Sequence, residues 1–401
     1  MKLKMKVVSF CHYLQGPACT QYLADMGAEV VKIEPLTGAF ERHWSGGNSW
    51  VNGVSAFLMS ANRNTESLAV DLKRPEGRDL VLRLIDEADV VIENFRPGVL
   101  DRLGLGFDTL RKRKPALVLA SASGLGRTGP AASRPGQDLL KQARSGLIAA
   151  TGGGTQGPTA VGAAVVDQHG GALLAMGILG AFVRRLQTGE GTLVESSLFA
   201  AGIDLQTEAL TKYYAAKRRA EVFTRDRHVG SWYHDAPYGV YPLAQGHLVL
   251  SMNDAAKLAA ALDSDALREL SQIDRYEQRD RYAQAVAAEL RTRRFEDISP
   301  LFDAHDIWHE RVRNYDDLLD DPQARHNEAF REIEVPGGAS ALLVNHPLRY
   351  DGELPAYRRM PFQAGQDSLA ILQRLGLSEV ECRALADAKV IGLPEASPTR
   401  V

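Results

Sequence analysis

The chain has 401 residues, enough for two domains or for one large α/β domain with an insertion. Hydrophobic residues at 45% and charged residues at 24% are ordinary for a soluble globular protein, and a net charge of −3 gives no reason to expect nucleic acid. Cys11, Cys19 and Cys382 are odd in number and lack C-x-x-C spacing, so they suggest neither a disulfide framework nor a metal site. The opening M-K-L-K-M-K-V-V-S-F has too short an apolar run for a secretory signal. The longest near-continuous apolar segment, Ala172–Val183, is too short to cross a bilayer, so the expectation is a cytoplasmic protein without a membrane partner.

In chain order, Lys6–Phe10 reads as a strand, Gly16-Pro17 opens a helix that Gly27 closes, and Glu29–Glu34 reads as a second strand. This is a βαβ unit, which points to a parallel sheet. Leu36–Asn64 is a long loop rich in Gly, Ser, Asn and Trp, and loops of that length are uncommon unless functional. Ser67–Asp71, Asp89–Glu93, Ala116–Ser121 and Thr192–Ser197 continue the strands, with a helix over Pro75–Ala88 and a helical run over Gln137–Ala149. The run T-G-G-G-T-Q-G-P at Thr151–Pro158 lacks the lysine of a phosphate-binding loop and reads as a linker or an active-site loop. Leu198–Ala216 is helical. Beyond Lys217 the pattern becomes a hairpin turning at Gln245-Gly246, then charge-dense helices to about Asp321. Glu332–Tyr350 is strand-like, and Asp367–Leu375 and Ser378–Lys389 are helices. The fold class expected is α/β: a large parallel-sheet domain over 1–216, a smaller inserted α+β domain over 217–330, and a return to the large domain over 331–401.

Val161–Gly171, V-G-A-A-V-V-D-Q-H-G-G, carries the clearest chemical signal. Gly162–Val166 reads as a short buried strand, Gly170 and Gly171 as a tight turn, and Ala172–Val183 as a buried helix. Asp167 then stands at a strand end beside a positive helix N-terminus. With an ordinary pKa of about 3.9 it is an anion at neutral pH, able to attack an activated carbonyl without a partner base. The alternative is that Asp167 merely caps the helix.

Four motifs resemble the class III CoA-transferase family: G-P-A-C-T-Q-Y-L-A-D-M-G-A-E-V-V-K-I-E-P at Gly16–Pro35, N-R-N-T-E-S-L-A-V-D-L-K at Asn62–Lys73, D-V-V-I-E-N-F-R-P-G-V-L-D-R-L-G at Asp89–Gly104, and A-P-Y-G-V-Y-P at Ala236–Pro242. The family includes carnitine and formyl-CoA transferases and α-methylacyl-CoA racemases. The resemblance implies a Rossmann-like large domain, a small domain, and a homodimer of two interlocked rings. It places Asp167 on the family's catalytic aspartate, which would carry acyl groups as an anhydride and CoA as an aspartyl thioester. CoA or acyl-CoA then enters as substrate with a small carboxylic acid, and no metal or permanently bound cofactor is required.

By the same resemblance Val70, Leu72, Lys73, Asn94, Phe95, Arg96 and Arg102 match positions that touch CoA, with Gln137 and Asp138 assigned to the same set. Gln15 is the candidate oxyanion donor. Formyl-CoA transferases carry a glutamine two residues before the Gly of the G-P pair, where this chain has Leu14, so a backbone donor in this turn is as plausible as the Gln15 side chain. The family's arginine after K-I-E is Pro35 here, with Arg42 a candidate substitute. The glycine-rich flap of formyl-CoA transferases is absent from Val229–Tyr238, where Trp232, Tyr233 and His234 would make a different lid. Racemases carry G-H-D where this chain has Gly136-Gln137-Asp138, and Gln has no titratable proton to serve α-proton exchange. His169 could be proposed instead, and a non-catalytic CoA-binding protein is the remaining alternative.

Overall fold

The computed structural model describes residues 3–152 and 157–394, so residues 153–156 of the glycine-rich run lie outside the described residues. Two compact units form: Met1–Lys141 with Ala164–Gly202 and Pro322–Val401, and Gln142–Ala163 with Ile203–Asp321.

The first unit is built on a seven-stranded sheet. Its strands are β1 (Lys6–Phe10), β2 (Glu29–Glu34), β3 (Glu66–Val70), β4 (Val90–Glu93), β5 (Val118–Ser123), β6 (Leu193–Ser197) and, far downstream, β12 (Ile391–Gly392). The spatial order is β12-β3-β2-β1-β4-β5-β6, parallel throughout except that β12 runs antiparallel to β3. Central strands of such a sheet are covered on both faces and so read as continuous apolar runs. Val8 and Phe10 of β1 face one core, with Ile33, Leu68 and the Leu80, Val81 and Ile85 side of α2 (Pro75–Glu87). Val7 faces the other, with Val90, Ile92 and Val118, against Cys19 and Leu23 of α1 (Gln15–Asp25) and Leu174, Ile178 and Phe182 of a long helix.

That helix is the main departure from the sequence reading. No strand forms at 162–166. Gly162 and Ala163 are exposed, and α4 begins at Val165, includes Asp167 in its first turn, and runs unbroken for 24 residues to Thr188. The cause lies in α3 (Asp138–Arg144): the Asp138 carboxylate accepts the Val166 and Asp167 amides at 2.8 and 2.9 Å and so caps the helix from outside. Asp167 itself caps nothing. Gly170 and Gly171 make no turn either. They sit in the helix where it meets α1, and a Cβ on Gly171 would stand 2.8 Å from the Gln15 carbonyl oxygen and 3.0 Å from Ala18 Cβ. The helix is also longer than the apolar segment read from the sequence, with the length and hydropathy to cross a membrane, and 44% of its most apolar window is buried. Its far side is exposed at Met176, Val183 and Leu186.

In the second unit β7 (Gly239–Pro242) and β8 (His247–Leu250) form the expected hairpin, joined by β9 (His309–Arg311). Helices pack Tyr282, Leu258 and Phe302 against Tyr241 and Leu248. In the first unit β10 (Phe330–Val335) and β11 (Ala339–Val344) form a separate hairpin.

The glycine geometry gives a paired test. Gly171→Ala should lower stability by about 1–3 kcal/mol, because backbone atoms of α1 cannot yield to the added methyl. Gly180→Ala, on the same helix with nothing within 4 Å of its Cβ position, should raise stability by about 0.5–1 kcal/mol. Thermal unfolding of both variants measures the contrast.

Candidate active site

Strand order places a crevice at the carboxyl end of the sheet, between β1 and β4, where the chain turns from building one side of the sheet to building the other. Open α/β sheets bind ligands at such switch points. Two loops meet there. The His12 amide donates to Asn94 Oδ1 at 2.9 Å and the His12 carbonyl accepts from Asn94 Nδ2 at 2.6 Å, which fastens the end of β1 to the turn after β4. The chain then enters α1 at Gln15, so the first amide of that helix is free of an intrahelical partner.

The Gln15 backbone amide faces the Asp167 carboxylate and favours its charged form. Gly170 lies one turn after Asp167 on the same face of α4, and the Gln15 side chain packs there, with Nε2 2.7 Å from the Gly170 Cβ position. Gln15 is 4% exposed and its Nε2 has no partner among the described residues. A carboxylate, a backbone amide and an unpartnered side-chain donor thus lie close together. Asp138 is held in place by the loop before it: Gly124 and Gly136 cross back to back, and a Cβ on Gly124 would stand 2.5 Å from Gly136 Cα.

The Asp167 carboxyl is pushed up to about 7. Burial is the largest cause, the Asp138 carboxylate adds to it, and the Gln15 amide opposes them. This corrects the sequence expectation of an ordinary anion. The amides at the start of α4 would have stabilised charge on Asp167, but Asp138 occupies them and contributes repulsion instead. His12 is held low by burial and then by Lys32, and its Nδ1 has no partner among the described residues.

Comparison with known proteins decides what this crevice belongs to. The sequence signature of CoA-transferase family III matches residues 4–368. The chain belongs to that family. Relatives include an acetyl-CoA:oxalate CoA-transferase of Acetobacter aceti, 31% identical over 86% of this chain and 88% of that one. The mouse succinyl-CoA:glutarate CoA-transferase is 28% identical over 92% of this chain and 85% of its own length. The crystal structure of a CAIB/BAIF family protein from Brucella suis superposes with a TM-score of 0.79 at 27% identity, covering 92% of this chain and 98% of that one. The protein is a family III CoA-transferase, and its family acts on organic acids.

In this CoA-transferase the residues matched to CoA positions fall into four groups. Asn94, Phe95 and Arg96 form the turn at the crevice, with the Phe95 ring 5.1 Å from His12 and Arg96 exposed in a groove with Glu93, Leu100, Phe107 and Arg127. Lys73, Arg102 and Gln137 are exposed. Val70 is 2% exposed and Leu72 packs against the same core, which leaves their backbones rather than their side chains for a ligand. The Asp138 carboxylate is turned to the α4 amides.

Two sequence readings are corrected. Arg42 is no substitute cation for CoA: Nε and Nη2 bind Glu34 at 2.7 and 2.6 Å, and Nη1 binds the carbonyls of Pro361 and Phe362. Burial alone would raise Glu34, yet Arg42 holds it down to about 2. In the second unit Trp232 is no lid. It is 3% exposed, edge-on to Tyr213, while Tyr233 and His234 stay half-buried, His234 stacked on Tyr238 and Lys212 over the Tyr233 ring. Glu93 and Arg127 were missed. The signal available for Glu93 was a carboxylate ending an apolar strand, D-V-V-I-E.

Asp138→Asn keeps an acceptor for the two amides and removes the charge, so the pKa of Asp167 should fall below 7. Carboxyl-carbon NMR titration reads the shift directly. For Asp167→Asn the sign follows from linkage: the folded carboxyl holds its proton up to about 7 while the unfolded one releases it near 3.9, so wild-type stability falls as pH rises between those values. The variant lacks that loss, and its gain in melting temperature should be larger at pH 8 than at pH 4.

Proposed function

We propose that this enzyme moves CoA from an acyl-CoA donor to a small organic acid, with Asp167 as the covalent carrier. The observation that supports this most is the Asp167 carboxylate itself, half-buried at the switch point and faced by the Gln15 amide. Carboxylate oxygen attacks the donor thioester carbonyl, giving a mixed anhydride and CoA thiolate. The thiolate attacks the aspartyl carbonyl, releasing the donor acid and leaving an aspartyl-CoA thioester. The acceptor carboxylate attacks that thioester to give a second anhydride, and CoA thiolate returns to the acceptor acyl carbon. Asp167 is regenerated, and each step exchanges one activated acyl bond for another. Every tetrahedral oxyanion needs a donor, and Gln15 Nε2, buried and unpartnered, supplies one worth about 3 kcal/mol. Exclusion of water protects the anhydrides.

The acids named for the relatives, oxalate and glutarate, favour a small dicarboxylic acid on one side of the exchange. The working assembly in this reading is a homodimer of interlocked rings in the cytoplasm, and the apolar residues exposed along α4, Met176 and Leu186 at 64% and 69%, suit a face covered by a second copy.

A panel of acyl-CoA donors against carboxylic acids, read by mass spectrometry, tests the reaction. Hydroxylamine added with donor should leave a hydroxamate on Asp167, and Asp167→Ala should reduce transfer by at least ~10³-fold. The rate should rise with pH through about 7 as the nucleophile ionises. Labelling of another carboxylate would overturn the Asp167 assignment, and an α-methylacyl-CoA that loses stereochemical purity while no acid exchanges CoA would replace this reading with the racemase one.

A further inference from the structure

Glu93 ends β4 after three buried apolar residues and is itself 7% exposed. An acid is costly there unless its oxygens are satisfied, and a valine or leucine would fill the place at no such cost. Both oxygens have partners. Oε2 accepts the Phe95 amide at 2.8 Å, and Oε1 accepts the Ser121 hydroxyl from β5. The next residue, Asn94, reaches the other way and binds both backbone groups of His12 at the end of β1. Two consecutive side chains therefore fasten one turn to the strands on either side of it. The turn presents the Phe95 ring beside His12 and leaves Arg96 exposed in the groove with Phe107 and Arg127, whose guanidinium lies 4.5 Å over the Phe107 ring.

We propose that Glu93 is a positioning residue for acyl-CoA, holding the Asn94–Arg96 turn in its binding geometry through the Phe95 amide. This rests on the CoA-transferase reading above and adds a residue that touches no reacting atom. The groups that face Glu93 are Ser121, the Phe95 amide, Arg127, Asp101 and, from β1, Cys11. Burial pushes its carboxyl up to about 7 and Asp101 adds to that, against Ser121, the amide and Arg127. A neutral acceptor in the same place should therefore serve nearly as well as the acid.

Three variants test it, with steady-state kinetics and calorimetric CoA binding. Glu93→Ala should raise the KM for acyl-CoA and weaken CoA binding about tenfold, with kcat and the KM for the acceptor acid within about twofold of wild type. Glu93→Gln, which keeps an oxygen for the amide and a donor for Ser121, should restore both to within about threefold. Ser121→Ala breaks the link to β5 and leaves the Phe95 bond, so it should also stay near wild type. Equal losses in kcat and both KM values, or a Glu93→Gln variant as weak as Glu93→Ala, would overturn the proposal. Calorimetry reads CoA affinity without turnover. A wild type that binds CoA but transfers none would therefore count against the reaction proposed above while leaving the Glu93 contrast measurable.

Discussion

Two carboxylates compete for one helix start, and the chemistry of the site depends on which of them wins. The free amides at the head of α4 can stabilise one anion well. Asp138 takes them, and Asp167, two positions inside the helix, is left with the Gln15 amide, a half-buried setting and a like charge beside it. The outcome is a carboxyl that ionises near neutrality rather than near 4. Once ionised, a more basic carboxylate is also a stronger nucleophile. Moving the Asp138 side chain would alter the helix start and the ionisation of Asp167 together.

The crevice is held by a dense set of buried polar contacts behind it. Lys32 and Glu41, both nearly inaccessible, pair with one another, and Lys32 also reaches Asn62 Oδ1 at 2.7 Å. Glu34 and Arg42 make a second buried pair two residues along β2. Together they pin the long 36–64 segment to the sheet at both ends. Removing one partner of such a pair strands a charge in the interior, which costs far more than the intact pair contributes. The segment that looked loose from its glycines and serines is thus anchored by the strand before it.

Much of this was legible in the residues. The strands β1, β2, β4 and β5 are apolar runs bounded by glycine, proline or acid, and period and punctuation located them within a residue or two. The hairpin at Gln245-Gly246 was equally plain. The 161–171 stretch was misread for a physical reason: small β-branched residues before a glycine pair fit a strand-turn-helix as well as a helix start, and local pattern cannot choose. The choice was made by Asp138, remote in sequence, and by α1, whose close backbone approach requires Gly171. Arg42 was misassigned because a cation's partner across a fold leaves no local mark. The ionisation of Asp167 was out of reach for the same reason, since burial and a second carboxylate are tertiary facts.

The edge of the sheet in the first unit is closed by Ile391 and Gly392 pairing with Val70 and Ala69, residues made more than three hundred positions earlier. A second tie spans at least as far, where Asp25, already bound to Arg63, meets His346, and Arg358 reaches the Ala24 carbonyl. During synthesis the ribosome therefore releases the first half of the sheet long before its seals emerge. That half must wait with an open β3 edge and an uncovered buried acid, a state prone to sticking to its neighbours. Closure of that edge therefore waits on residues 391 and 392.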